Sequence, residues 1–226
     1  MNRDGLLSFI ENLEGNCFNE LVFEQTERLQ KKLNKIIEEY IEEQNKINDK
    51  ESSYLHLDTE FYYEKLIALS EMNIVYAYKD FEINLKKLIG AAYGVDTKQF
   101  YKWETIMKFL KLKGINPSSL EGFQQVSDLK NINNHIKHSV SPKIDKSIKS
   151  IPEFSKEENI EYDSLNQFYK RIKNAPLIFL DSISSEVDKD LYEFDSDKLR
   201  SIAEEMALRM DEETAMELIK ELRRLY

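Results

Sequence analysis

Long helical stripes constrain this chain more than any other feature. Leu29, Leu33, Ile36, Ile37, Tyr40 and Ile41 fall at i, i+4, i+7, i+8, i+11 and i+12. A helix over 19–47 lines them along one side and turns charged residues to the other. The run 60–93 predicts a second helix of roughly 50 Å. Asp58 or Thr59 caps its start, Gly94 stops it, and Gly90 is its weak point. Ile67, Val75, Tyr78, Phe81, Leu85 and Ile89 line one side of it. Six glycines and four prolines among 226 residues are too few for the turns of a β-sandwich or barrel. The fold class is therefore all-α.

The remaining segments follow the same logic. Residues 1–16 read as a short helix and turn, and 45–53 as a polar break. Residues 100–112 form an amphipathic helix with Trp103, Ile106, Phe109 and Leu110, closed by Gly114. After the loop 116–119 comes a helix over 123–139. The stretch 141–162 is irregular, and Ile144, Ile148, Ile151 and Phe154 tuck it onto the core. Asp163 or Ser164 caps a helix that reaches about Val187 and breaks or kinks at Pro176. The tail from Asp195 carries two short stripes. One holds Leu199, Ile202, Ala203 and Met206; the other, capped by Asp211, holds Ala215, Leu218, Leu222 and Tyr226. The expected organisation is an N-terminal helical extension (1–58), a bundle of four to five helices (59–190) and a C-terminal helical hairpin (191–226).

Charge and cysteine content narrow the function classes. The net charge of −10 argues against general nucleic-acid binding. Residues 79–150, however, hold 13 lysines against 7 acidic residues. A basic middle between acidic ends either presents a local anion site or is uneven surface charge. Cys17 stands alone, which excludes an internal disulfide and any cysteine-built zinc site, and fits a reducing compartment. The N-terminus does not read as a signal peptide, and no apolar run approaches the ~18 residues that span a bilayer. A cytoplasmic protein with no membrane contact and no cofactor is expected. None of the usual phosphate-loop, dinucleotide, nucleophile-elbow or zinc-protease patterns occurs.

The segment Asp128-Leu129-Lys130-Asn131-Ile132-Asn133-Asn134-His135-Ile136-Lys137-His138-Ser139 concentrates the chemistry. Val126, Leu129, Ile132 and Ile136 fall within about a third of the helix circumference and form the buried stripe. Asn131, Asn134, His135 and His138 fall opposite. Asn133 lies at the edge of the stripe. Imidazoles exchange protons near neutral pH, and carboxamides orient them or donate to phosphate oxygens. Lys130 and Lys137 stand close enough to offset phosphate charge. The plain alternative is a solvated polar face with two incidental histidines. His135 and His138 lack carboxylate neighbours apart from Asp128, which disfavours a metal site. Trp103, Phe100 and Tyr101 among lysines suit base stacking, though core packing of Trp103 is the stronger reading. His56 reads as incidental.

Two features resemble the HEPN superfamily, whose core is a four- to five-helix bundle. The stretch Tyr78-Lys79-Asp80-Phe81-Glu82-Ile83-Asn84-Leu85-Lys86-Lys87-Leu88-Ile89 looks like the family's early helix, and Asn133-Asn134-His135-Ile136-Lys137-His138 resembles its R-N-x-x-x-H motif. The likeness covers about residues 59–187. It implies a protein that acts on or binds RNA. Family members include metal-independent endoribonucleases of toxin–antitoxin and phage-defence systems, working as dimers with two motifs over one RNA. On this resemblance His138 matches the catalytic histidine and Asn134 the polar residue; Glu82 on the early helix either faces the His138 helix or, the stronger reading, is a structural hydrogen-bond partner or exposed. A homodimer is implied with the 123–139 helix at or near its interface.

The family's arginine falls on Asn133, and no arginine occurs between Arg28 and Arg171. An asparagine offers no guanidinium fork for phosphate. Either Lys130 (in register with His135) or Lys137 replaces it, or catalysis is altered or lost. The competing expectation is a non-catalytic interaction module. It would bind a protein partner, such as an antitoxin or defence component, through 19–47 or 195–226.

Overall fold

The computed structural model describes residues 4, 5, 8, 18–46, 52–139 and 143–225, with backbone alone for 18–23, 44 and 52–58. These residues form α1 (Phe18–Gln44), α2 (Ser52–Tyr93), α3 (Trp103–Leu112), α4 (Phe123–His138), α5 (Tyr162–Ile172), α6 (Ala175–Tyr192), α7 (Ser196–Ala207) and α8 (Glu212–Leu225). Short 3-10 turns stand at 97–99, 117–119 and 152–154. Among the described residues the sole β-type pairing is an isolated bridge between Lys143 and Asn159. Of the helix expected over 1–16, only residues 4, 5 and 8 are described, and all three are helical. Cys17, Ser141, Pro142 and Tyr226 lie outside the description.

The chain divides into two compact units, Met1–Val187 and Asp188–Tyr226. In the first, α2 is the central rod, with α1, α4 and α5 packed on it. Leu66, Ile74, Ala77, Tyr78, Phe81, Leu85, Leu88 and Ile89 are all buried. They fall within about 140° of the helix circumference, one broad face, while Met72, Tyr76 and Ile83 stand exposed on the opposite side. Gly90 does not break this rod. A Cβ there would come within 2.6 Å of Thr97 Cγ2, so the glycine lets the 97–99 turn approach. The helix also starts earlier than its expected caps: Asp58 and Thr59 lie within it, and Ser52 opens it.

α1 lies along α2, but its expected stripe is only partly covered. Leu29 and Ile41 are exposed, whereas Thr26 and Gln30 are buried. The Gln30 amide donates to Ser70 Oγ at 3.1 Å, which satisfies one buried polar group with another.

An aromatic cluster fixes the other end of α4. Phe123 meets Phe179 at 5.8 Å between centroids and Trp103 at 6.5 Å, and Phe81 contacts both Trp103 and Phe179. Such pairs add roughly 0.5–1.5 kcal/mol each beyond area burial. Trp103 is thus a packing residue, and Phe100 is buried; Tyr101 remains exposed. Gly122, at φ 82°, begins α4. A Cβ there would lie 3.0 Å from the Ala175 carbonyl and from Phe179, so a side chain would push α6 away.

Between α4 and α5 the irregular segment covers the bundle. Ile144, Ile148, Ile151, Phe154 and Ile160 are buried. α5 then begins at Tyr162 with Glu161 at its N-cap and no side-chain capping bond, in place of the expected Asp163 or Ser164. The chain breaks after Ile172, and Pro176 sits in the first turn of α6, where its missing N–H costs nothing.

In the second unit, Asp195 and Asp211 cap α7 and α8 by accepting from the Lys198 and Thr214 backbone N–H groups at 2.8 and 2.9 Å. The Lys198 ammonium donates to the carbonyls of Asp190 and Glu193. Neither α7 nor α8 contains a buried residue. No helix among the described residues is long and apolar enough to cross a membrane.

Candidate functional site

α4 buries the expected Val126, Leu129 and Ile132, and Ile136 is half-buried. Its buried sector is wider than that stripe: Asp128, Asn133 and His135 are buried too. The cause is a third neighbour. α2 and α5 flank the helix, and the segment after it folds back so that Asp145 Oδ2 reaches His135 Nδ1 at 3.2 Å. His135 therefore leaves the exposed polar face on which its helical position put it.

The surroundings of His135 define its chemistry. Asp145 also accepts from the Ser147 backbone N–H at 2.7 Å and from the Ser147 hydroxyl at 2.5 Å. The Ser147 hydroxyl, then the His135 bond, hold the Asp145 carboxyl down to about 2. An ionised Asp145 only accepts, so Nδ1 carries the proton and donates. That leaves His135 Nε2 buried without a hydrogen-bond partner among the described residues. Across on α2, burial pushes the Glu71 carboxyl up, and nearby His135 pulls it partly back. His135 is thus an interior anchor between Asp145 and Glu71, and the register pairing Lys130 with His135 loses its solvent-facing histidine.

Asn133, which the resemblance sets at the arginine position, is 1% exposed. Its amide nitrogen donates to Asn134 Oδ1 over a long 3.4 Å, and its own Oδ1 has no partner among the described residues. It faces the interior, so it cannot meet a substrate. Asn134, Lys137 and His138 are exposed, with Asn134 and His138 one turn apart at the C-terminal end of α4. These three are the exposed residues of 133–138.

The other expected contributors are engaged elsewhere. Lys130 pairs with Glu104 at 3.5 Å and lies 5.9 Å over the Trp103 ring. Glu82 is half-buried and pairs with Lys86 at 2.9 Å. It stands eleven residues from Glu71, about 16 Å along α2. It acts at the level of Tyr78 and Glu104: burial first, then the charges of Glu82 and Glu104, raise the Tyr78 hydroxyl. Glu82 therefore marks the other end of α4, not the His138 end.

Sequence reasoning missed Glu71, Asp145 and Arg171. Arg171 on α5 grips Glu153 at 2.6 and 3.0 Å and Asp128 of α4 at 3.2 Å. Gln124 donates to the same Asp128 at 2.9 Å. Burial would push Glu153 up, but the Arg171 bonds outweigh it and hold the carboxyl below its usual value. This guanidinium is committed to two carboxylates. Its foothold on α4, Asp128, is ten residues before His138, about 15 Å along the helix. It does not supply the missing fork. No local pattern announces a contact 43 residues apart.

Among the described residues, no group of three His, Cys, Asp or Glu side chains is placed to hold a metal ion. The fully exposed residues of α4 are Gln124, Asn134, Lys137 and His138, all polar. No protein-family model, no curated protein and no solved structure matches the chain.

Proposed function

We propose that this is a HEPN-like bundle that binds RNA at the C-terminal end of α4 and does not cut it by the family's arginine–histidine route. One observation carries the reading. The motif's arginine position is an interior asparagine, while Asn134, Lys137 and His138 remain at the surface. The Asp145–His135 bond brings a basic segment back to that end, with Lys146 and Lys149 exposed on it. Lysines bind phosphate as point charges, without the bidentate geometry that orients an in-line attack. Such a protein would serve a toxin–antitoxin or phage-defence system as a binder rather than as its nuclease. A second reading, a protein-interaction module, draws on the exposed apolar residues of α7 and α8.

The test is fluorescence anisotropy with labelled single-stranded RNA at low salt, and a denaturing gel of the same samples with EDTA. The expected result is binding without cleavage, weakened by Lys137→Ala and His138→Ala. Two or three phosphate contacts give a log–log salt slope of about 2. Cleavage abolished by His138→Ala restores the nuclease reading. No binding to any RNA at 100 µM protein leaves the interaction module.

A further inference from the structure

The two tail helices are short and bury nothing. α7 has 12 residues and α8 has 14. Isolated helices of this length are marginal in water, and packing of an amphipathic face is what normally stabilises them. On α8 the apolar face is formed but open: Met216 is 62% exposed, Leu222 48% and Leu225 74%, and Leu218 and Ile219 are exposed as well.

The charges beside that face specify what covers it. Take Ala215 as zero and about 100° per residue. Ile219 then falls near 40°, Leu222 near 340° and Leu218 near 300°. Glu212 falls near 60° and Arg223 near 80°, between Ile219 and Met216 (near 100°), so both stand on the same side of the 215–222 stripe, about 16 Å apart along the axis. Among the described residues neither makes an ion pair; Arg224, by contrast, pairs with Glu221 at 2.9 Å. When two identical helices pack antiparallel across a two-fold axis, each edge meets its own counterpart running the other way. Glu212 of one copy then meets Arg223 of the other, twice. The axis that makes this match passes between Glu217 and Leu218, near the middle of the 215–222 stripe. Parallel packing would set this edge against the opposite edge of the partner helix, and Glu212 and Arg223 would not meet.

We infer that α8 is a homodimerisation helix that packs antiparallel on a second copy of itself, with reciprocal Glu212–Arg223 pairs setting the orientation. The inference is independent of the RNA reading, because no residue of α8 belongs to the α4 site.

The test uses the full chain in sedimentation velocity over 1–200 µM, with circular dichroism to confirm that each variant keeps its helices. Wild type sediments as a dimer at high concentration, and Leu222→Asp sediments as a monomer. Glu212→Arg and Arg223→Glu each weaken self-association by about tenfold or more. Mixing these two variants, or combining both changes in one chain, restores the dimer. A wild type that stays monomeric at 200 µM overturns the inference, as does a dimer indifferent to Leu222→Asp. A dimer weakened by the single charge variants but not restored by mixing also overturns it, since only antiparallel pairing predicts the rescue.

Discussion

Asn133→Arg completes an R-N-x-x-x-H pattern in the sequence, and the structure predicts that it will damage the fold rather than create a nuclease. Asn133 is 1% exposed, and among the described residues its Oδ1 has no partner and no carboxylate is bonded to it. A guanidinium there brings five donors and a charge into the α4 interior with nothing to accept them. An uncompensated buried charge costs about 3–5 kcal/mol, a large share of the ~5–15 kcal/mol that holds a domain of this kind. With a urea slope of roughly 2–3 kcal/mol per molar, the midpoint falls by about 1–2 M. Urea titration followed at 222 nm reads this directly. Asn133→Leu is the control: it removes the orphaned oxygen and keeps similar volume, so its stability stays within ~1 kcal/mol of wild type. An Asn133→Arg midpoint equal to wild type would refute the reasoning. Position 133 would then reach solvent, and the arginine would be free to grip phosphate.

Three further expectations follow from packing and charge. Gly122→Ala should lower stability by about 2–4 kcal/mol, because it combines a left-handed backbone with a 3.0 Å approach to the Ala175 carbonyl; thermal melts check it. Glu71→Gln should raise the melting temperature at pH 7. Burial raises the Glu71 pKa, so its destabilising charge appears as pH rises above the unfolded value near 4.5, and the gain should vanish below about pH 4. Arg171→Met should cost about 1–2 kcal/mol, because it strands Asp128 and Glu153, and should raise hydrogen exchange in 143–160.

Local patterns made much of this fold legible, because local patterns cause it. Pro176 forces the α5–α6 break, Asp211 caps α8, and Ile148 and Phe154 pull an otherwise irregular segment into the core. The failures share one cause, which is contact between residues far apart in sequence. The helical wheel placed His135 outside, but Asp145, ten residues on, covers it. The α1 stripe suggested a fully packed face, yet Leu29 and Ile41 are exposed and polar Gln30 is buried on Ser70. At the site, Asn133 was legible as a stripe-edge residue and His138 as an outward one. The engagement of Lys130 with Glu104, distant in sequence, was not.

The central claim is that RNA meets the exposed end of α4 at His138 while His135 stays interior and the RNA stays whole. The chain has three histidines, His56, His135 and His138, so their ring signals can be assigned by single substitutions. Long-range proton–nitrogen spectra of the imidazoles, recorded during titration with single-stranded RNA, test the claim directly. The account predicts that His138 shifts progressively with added RNA, that His135 keeps its frequencies, and that the RNA recovered afterwards is full length. A shift confined to His135, or RNA recovered as fragments, would contradict it.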